Sequence, residues 1–268
     1  MPSGAKTHEL FEIARLLIEE DVNSVLFEGE NARGFARRMF RTNVATYESA
    51  IRRIGFRNLG IVLDAGCGYG QWSFALAEYN AQILSIDVSL ERVNFISKVL
   101  SRSSVDNIMV SPGDLGNNVL DSETVNAVFS YGVVFCTPWR ETLAEFHRVL
   151  RPGGHLYFNA TSIDWFAYLW RTRHNECSDY KPREVAVSAL ANSLEYDRGS
   201  RGWSGQVVME PEKTTLELSS LGFVDIDWGW EGSLTEAGRL QSFDSKLARG
   251  LFEVRCRKAE VDVQDGIR

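Results

Sequence analysis

This sequence is poor in metal-binding and disulfide-forming residues, with four cysteines and four histidines in 268 residues. No two of Cys67, Cys136, Cys177 and Cys256 form a C-x-x-C pair, and none stands by a histidine at a zinc-ligand spacing. That argues against a metal site or a disulfide framework and leaves reduced thiols in a cytoplasmic protein as the expectation. The chain has no run of the roughly 18 apolar residues that a membrane-spanning helix needs. Residues 1–7 lack the apolar stretch of a signal peptide. Positive charge is also short, with 29 Lys and Arg against 36 Asp and Glu. A nucleic-acid surface usually leaves a basic footprint, so neither nucleic acid nor membrane is expected as a partner. Repeats and low-complexity tracts are missing too.

What remains is ordinary globular material, 44% hydrophobic and 24% charged. The length suits one large α/β domain with an insertion. Residues 8–20 place Leu10, Ile13, Leu16 and Leu17 at helical spacing, and 35–54 read as a second helix. Strand-length apolar runs then follow at Ile61–Leu63, Ile83–Ile86, Ile108–Val110, Val125–Phe129 and His155–Phe158, ending mainly in polar residues. Helical stretches lie between several of them: 89–102 with Ser89 as N-cap, and 138–150 after Thr137-Pro138. Alternation of this kind predicts a mostly parallel sheet with helices on both faces. Residues 161–210 are aromatic, charged and irregular in period, and read as an insertion. A helix at 211–221 and strands at Phe223–Trp228 and Leu251–Arg257 rejoin the sheet. The expected organisation is a helical cap at 1–55, an α/β core at 56–160 and 211–258, an inserted lid at 161–210 and a tail at 259–268.

The segment Val62-Leu63-Asp64-Ala65-Gly66-Cys67-Gly68-Tyr69-Gly70 joins the first strand to a helix. Glycine at such a turn lets backbone amides approach a ligand closely. A dinucleotide fingerprint, G-x-G-x-x-G, needs glycine at 71, where Gln71 stands. An NAD-dependent oxidoreductase is therefore the weaker reading. The G-x-G-x-G spacing with Asp64 two residues ahead resembles motif I of the class I methyltransferases that use S-adenosylmethionine (SAM). Companions follow in order: Asp87 at the end of the second strand, Gly113-Asp114-Leu115 after the third, Ser130-Tyr131-Gly132 after the fourth, and Arg148-Val149-Leu150-Arg151-Pro152-Gly153-Gly154 before the fifth. Asp87 and Asp114 also suit ordinary strand-end turns. The resemblance is good over 61–160, weaker over 211–258, and nearly silent elsewhere.

The resemblance implies a seven-stranded, mostly parallel α/β sheet with an insertion after strand five. It implies SAM as cofactor and S-adenosylhomocysteine as product, held by Asp64, Gly66, Cys67, Gly68, Gly70, Asp87, Val88, Asp114, Leu115, Ser130 and Tyr131. A helix before strand one often covers the cofactor in this family, which brings in Tyr47, with Asn43 and Trp72 nearby. The implied reaction is methyl transfer to a small-molecule acceptor, an oxygen of a sugar or natural-product intermediate. N-methylation of a small molecule and a non-catalytic SAM-binding scaffold are the alternatives. Histidine, frequent after strand four in small-molecule members, is missing from Val133–Thr137. The insertion offers Asp164, His174 and Glu176 instead, with His174 as the candidate base. Trp165, Tyr168, Arg171 and Trp203 are candidates for holding the acceptor, although an aromatic stripe is also what a packed helix pair needs. His147 and His155 read as packing residues. Oligomeric state is left open.

Overall fold

A computed structural model describes residues 4–21, 26–116, 120–200, 204–236, 238–239 and 250–260. Three helices open the chain, α1 (Ala5–Glu20), α2 (Glu30–Arg41) and α3 (Val44–Arg53). The single helix expected over 35–54 is broken in two. Thr42 and Asn43 are extended, and the Asn43 side chain accepts a hydrogen bond from Ala45 N. Asparagine is a favoured N-cap because its short side chain satisfies an orphan amide, and here it starts a new helix inside a continuous apolar pattern.

Strands and helices then alternate: β1 (Ile61–Ala65), α4 (Gln71–Ala77), β2 (Gln82–Asp87), α5 (Leu90–Leu100), β3 (Ile108–Pro112), β4 (Val125–Ser130), α6 (Trp139–Val149) and β5 (Leu150–Thr161). Next come α7 (Ile163–Thr172), α8 (Pro182–Asp197), α9 (Pro211–Ser220), β6 (Phe223–Trp230), a small ribbon of β7 (Leu234–Thr235) and β8 (Gly238–Arg239), and β9 (Leu251–Lys258). The sheet has seven strands in the order β3-β2-β1-β4-β5-β9-β6. β1 to β5 pair in parallel, and β9 runs antiparallel between β5 and β6. This is the class I methyltransferase topology that the resemblance implies.

Side chains alternate between the sheet's faces, and each face has its own core. Val62, Ala127, Phe129 and Tyr157 pack with α1 to α5. Leu63, Val128, Leu156 and Phe158 pack with α6 and α9. The Arg151–Gly154 segment lies inside β5 rather than before it: Leu150 pairs with Val125 and His155 with Ala127, so 151–154 bulge opposite Asn126. A Cβ on Gly154 would lie 2.7 Å from the Arg151 carbonyl, which explains why glycine stands there.

Residues 163–197, irregular in sequence period, hold two regular helices. Ser162 caps α7, and Pro182 stands at the start of α8. The two helices bury Phe166, Leu169, Ala186 and Ala189 against each other. Val187, Leu190 and Leu194 of α8 remain exposed, which blurs the helical period.

One buried ion pair locks the first helices to the end of the sheet. Glu253 of β9 is fully buried and takes Arg53 of α3 in a bidentate grip at 2.9 and 3.0 Å. The same carboxylate accepts from Tyr157 Oη at 2.7 Å and Leu234 N at 2.7 Å.

Candidate active site

In an open parallel sheet the carboxyl ends of the strands face a crevice where ligands bind. The Gly66–Gly70 turn lies there, between β1 and α4. All three glycines have positive φ, 78°, 58° and 90°. Their reasons differ. A Cβ on Gly66 would come within 2.5 Å of Val133, and one on Gly70 within 2.9 Å of Phe74. Those two glycines let protein close on protein. A Cβ on Gly68 would meet nothing nearer than 3.8 Å, at Gln71. Gly68 is thus the glycine whose face is open, and the cradle left by its missing side chain is what a ligand needs.

β2 fixes this turn. Gly66 N and Cys67 N both donate to Ile86 O, at 2.7 and 3.0 Å. Gly68 N donates to Asp87 Oδ2 at 2.9 Å, while Ser89 N donates to Oδ1 at 2.9 Å. Arg92 Nη1 reaches Oδ2 at 3.4 Å. Asp87 is therefore a buried carboxylate at a strand end, joined to the glycine turn. Beside it Val88 and Leu90 are 77% and 63% exposed, an apolar pair left largely uncovered by the described residues. Cys67 is buried, and burial pushes its thiol pKa well up, so it packs rather than reacts.

Asp64 turns the other way, into the protein. Its Oδ2 accepts from Ser73 Oγ at 2.6 Å, and Ser85 Oγ donates to Ser73 Oγ at 2.9 Å. Burial pushes its pKa up to about 7 from 3.8, against the Ser73 hydrogen bond that favours the charged form. The folded chain therefore keeps a proton that the unfolded chain loses from about pH 4 upward, and stability falls as pH rises toward 7. At about 1.4 kcal/mol per pH unit the ceiling on this penalty is about 4 kcal/mol. Asp64→Asn is expected to raise the melting temperature at pH 8 and change it little at pH 4. Melting curves at the two pH values check this; equal shifts at both would contradict it.

Asp114 is exposed after β3 and accepts from Gly116 N at 2.9 Å, an Asx turn. The Leu115 side chain is buried in the α6 side of the core, so only its backbone is available to a ligand. Ser130 Oγ donates to Ala65 O at 2.8 Å, stitching the end of β4 to the residue before Gly66. Tyr47 differs from its expected part. Its hydroxyl donates to Met39 O at 2.9 Å, tying α3 to α2, and its ring packs edge-on against Trp72 at 4.9 Å.

At the end of β4, Tyr131, expected from sequence beside the cofactor, meets two residues that no motif marked, Asn159 and Glu231. Tyr131 packs on Trp72 at 4.7 Å and donates its hydroxyl to Glu231 Oε1. Asn159 of β5 donates from Nδ2 to the same oxygen at 3.3 Å, and accepts from Gly132 N. Burial pushes the Tyr131 phenol well up and raises the Glu231 carboxyl pKa, with the Glu253 charge adding to the latter. Glu231 follows β6 directly. The expected strand ended at Trp228, two residues early, and left Glu231 in a loop with no assigned place.

In the insertion, Trp165 and Tyr168 stack at 5.7 Å, and Tyr168 Oη lies 3.2 Å from His174 Nδ1. Three of the residues proposed from sequence therefore meet. Burial, then the Arg38 charge, lowers the His174 pKa. Among the described residues, no hydrogen bond or ring contact links this cluster to Asp87 or Glu231. Arg171 points along its own helix, donating from Nε to Ala167 O at 3.2 Å, and is exposed. Trp203 lies outside the described residues. His147 packs edge-on to Phe223 at 5.1 Å, and His155 sits at the amino end of the paired stretch of β5.

Residues 62–154 match the family described as a methyltransferase domain. The chain is 29% identical over 130 residues to a malonyl-[acyl-carrier protein] O-methyltransferase of Hamiltonella defensa, covering 44% of this chain and 48% of that one. A relative of the same name from Serratia marcescens is 25% identical over 229 residues, 77% of this chain and 85% of that one. The chain spans about half the length of the first of these relatives. Among solved structures, a geranyl diphosphate methyltransferase in complex with GPP and sinefungin aligns with TM-score 0.57 and 12% identity, over 96% of this chain and all (100%) of that one. The [4+2]-cyclase SpnF aligns with TM-score 0.56 and 16% identity, over 94% of each chain. The last pair establishes the fold; one of them is a cyclase, so the fold alone does not fix the reaction.

Proposed function

We propose that this chain, which carries a methyltransferase domain on the class I methyltransferase fold, uses SAM to methylate an oxygen of a small-molecule intermediate. The observation that carries this reading is the join between Gly68 and Asp87. One strand end supplies an open backbone cradle, and the next supplies a buried carboxylate hydrogen-bonded to it at 2.9 Å. A carboxylate there accepts from two vicinal ribose hydroxyls. Of its three present partners Arg92 is the longest, at 3.4 Å, and is the one a ribose displaces. Val88 and Leu90 then cover the base, and the Asp114 carboxylate accepts from its exocyclic amine.

When bound, SAM supplies a methyl carbon activated by its sulfonium for in-line displacement. The chain's task is to hold the acceptor in line and to keep water away. Positioning of this kind contributes up to about 7–11 kcal/mol in ideal cases. Trp72 and Tyr131 wall the crevice beside the glycine turn. In this reading α7 and α8 cover it, with Trp165, Tyr168 and His174 lining the lid.

Asp87→Ala is expected to weaken S-adenosylhomocysteine by about 1–3 kcal/mol through loss of charged hydrogen bonds. Calorimetric titration checks it, and unchanged affinity contradicts the placement of the ribose. Turnover of SAM with fractionated small-molecule extracts separates an enzyme from a scaffold.

A second reading follows the curated relatives, whose acceptor is a malonyl-[acyl-carrier protein]. Incubation with SAM and that carrier, read by intact-protein mass, separates the two. An added methyl selects the carrier-borne acceptor. No addition, with S-adenosylhomocysteine binding intact, selects a free small molecule.

A further inference from the structure

Methyl transfer to a hydroxyl needs somewhere for the proton to go, and the expected histidine after β4 is missing. The carboxyl ends of β4, β5 and β6 converge on Glu231. Its Oε1 takes both available donors, Tyr131 Oη and Asn159 Nδ2. Among the described residues Oε2 has no hydrogen-bond partner. Backbone pairing of Glu231 N to Leu251 O at 3.0 Å fixes where the side chain starts. Among the described residues the carboxylate is thus oriented through one oxygen and leaves the other open to a ligand. Its place is beside the glycine turn, because Tyr131 follows Ser130, which bonds to Ala65 O, and packs on Trp72.

We infer that Glu231 faces the point of methyl transfer and accepts the acceptor's proton through Oε2, so that the site selects an acceptor bearing an O–H over one that is already a carboxylate. This rests on the SAM reading above. In the step, the acceptor oxygen forms a bond to the methyl carbon and the sulfur–methyl bond breaks with its electron pair going to sulfur. The acceptor's O–H bond breaks and its proton passes to Oε2. Tyr131 and Asn159 are positioning residues in this account. They hold the carboxylate without touching the acceptor. Glu253 on β9 is close enough for its charge to act on Glu231, but Arg53 neutralises it and its carboxylate is held by Arg53, Tyr157 and Leu234 N within the fold.

Burial and the Glu253 charge raise the Glu231 pKa, which suits a group that must take up a proton. The Arg53 charge and the Tyr131 and Asn159 hydrogen bonds oppose that rise. Tyr47 and Tyr157 are the other titratable groups near the cluster.

The test needs no acceptor. SAM and sinefungin carry a positive charge at the transfer point, and S-adenosylhomocysteine does not. Calorimetry with all three on the wild-type chain and on Glu231→Gln reads the ratio of cationic to neutral ligand affinity. The expected result is a preference for the cationic pair that falls at least about ten-fold in Glu231→Gln, the lower end of what loss of one unit charge a few ångström away costs at a partly buried site. Affinity for S-adenosylhomocysteine should stay the same, which also shows that the variant folds. In the wild type the preference should fade as pH drops through the raised carboxyl pKa, and in Glu231→Gln it should be flat. An unchanged ratio in Glu231→Gln overturns the inference while the SAM reading stands. Failure of all three ligands on the wild type removes the SAM reading itself.

Discussion

Arg53→Ala is expected to lower the unfolding free energy by about 3–5 kcal/mol, the usual result of stranding one half of a buried ion pair. Glu253 is fully buried, so losing the guanidinium that binds both its oxygens leaves a carboxylate with poor access to water. Two partners would remain, Tyr157 Oη and Leu234 N, and both are neutral donors. The loss should spread beyond the pair. Arg53 ends α3, and α3 holds Tyr47 against Trp72 beside the glycine turn. Removing the charge from both partners separates lost attraction from an orphaned carboxylate. Arg53→Met with Glu253→Gln keeps an acceptor oxygen for Leu234 N, while the Tyr157 hydroxyl turns to accept from the new amide NH2, and should recover most of the loss. Urea unfolding of the three chains measures it. A single variant within about 1 kcal/mol of wild type would mean the pair is solvated and weak, like an exposed one.

Gly68→Val is expected to weaken S-adenosylhomocysteine by up to about a hundred-fold. Overfilling a packed site costs about 1–3 kcal/mol, and the upper end of that range is about a hundred-fold. The protein itself leaves room at this position, since the nearest atom to a Cβ lies 3.8 Å away. Strain from φ of 58° remains, at about 1–2 kcal/mol for a side chain in the left-handed region. The fold should survive that strain. Gly66→Ala makes the contrast. Its Cβ would lie 2.5 Å from Val133, so the damage falls on the fold before any ligand arrives. Thermal melts and ligand titrations of both variants distinguish the two roles. Tight binding by a folded Gly68→Val would remove that glycine from the ligand's path.

These two sites differ in how far the sequence reveals them. The glycine turn and Asp87 are local. Their spacing follows from one strand-turn-helix unit and the strand beside it, so both are legible in a linear reading. The five parallel strands are legible for the same reason, because each holds a short apolar run ending mainly in polar residues; β6 and β9 carry charged residues along their length, and the seven-stranded sheet follows from the resemblance. Glu231 and Asn159 are not local. They lie 72 residues apart and meet only because β5, β9 and β6 pair in the register seen. The break at Thr42–Asn43 was hidden by an unbroken apolar period on either side. The helices α7 and α8 were hidden because α8 leaves Val187, Leu190 and Leu194 uncovered. Tyr47 was legible as a helix residue beside the site, but the direction of its hydroxyl depends on how α2 and α3 are packed. His174 was found with its aromatic neighbours, yet nothing in a linear pattern says which way a helix pair faces.

Titration calorimetry of the unmodified chain with S-adenosylhomocysteine and, separately, with NAD reaches the core of this account. Saturable binding of the adenosyl thioether with no response to the dinucleotide is the predicted outcome. A dinucleotide that binds where the thioether does not would contradict it.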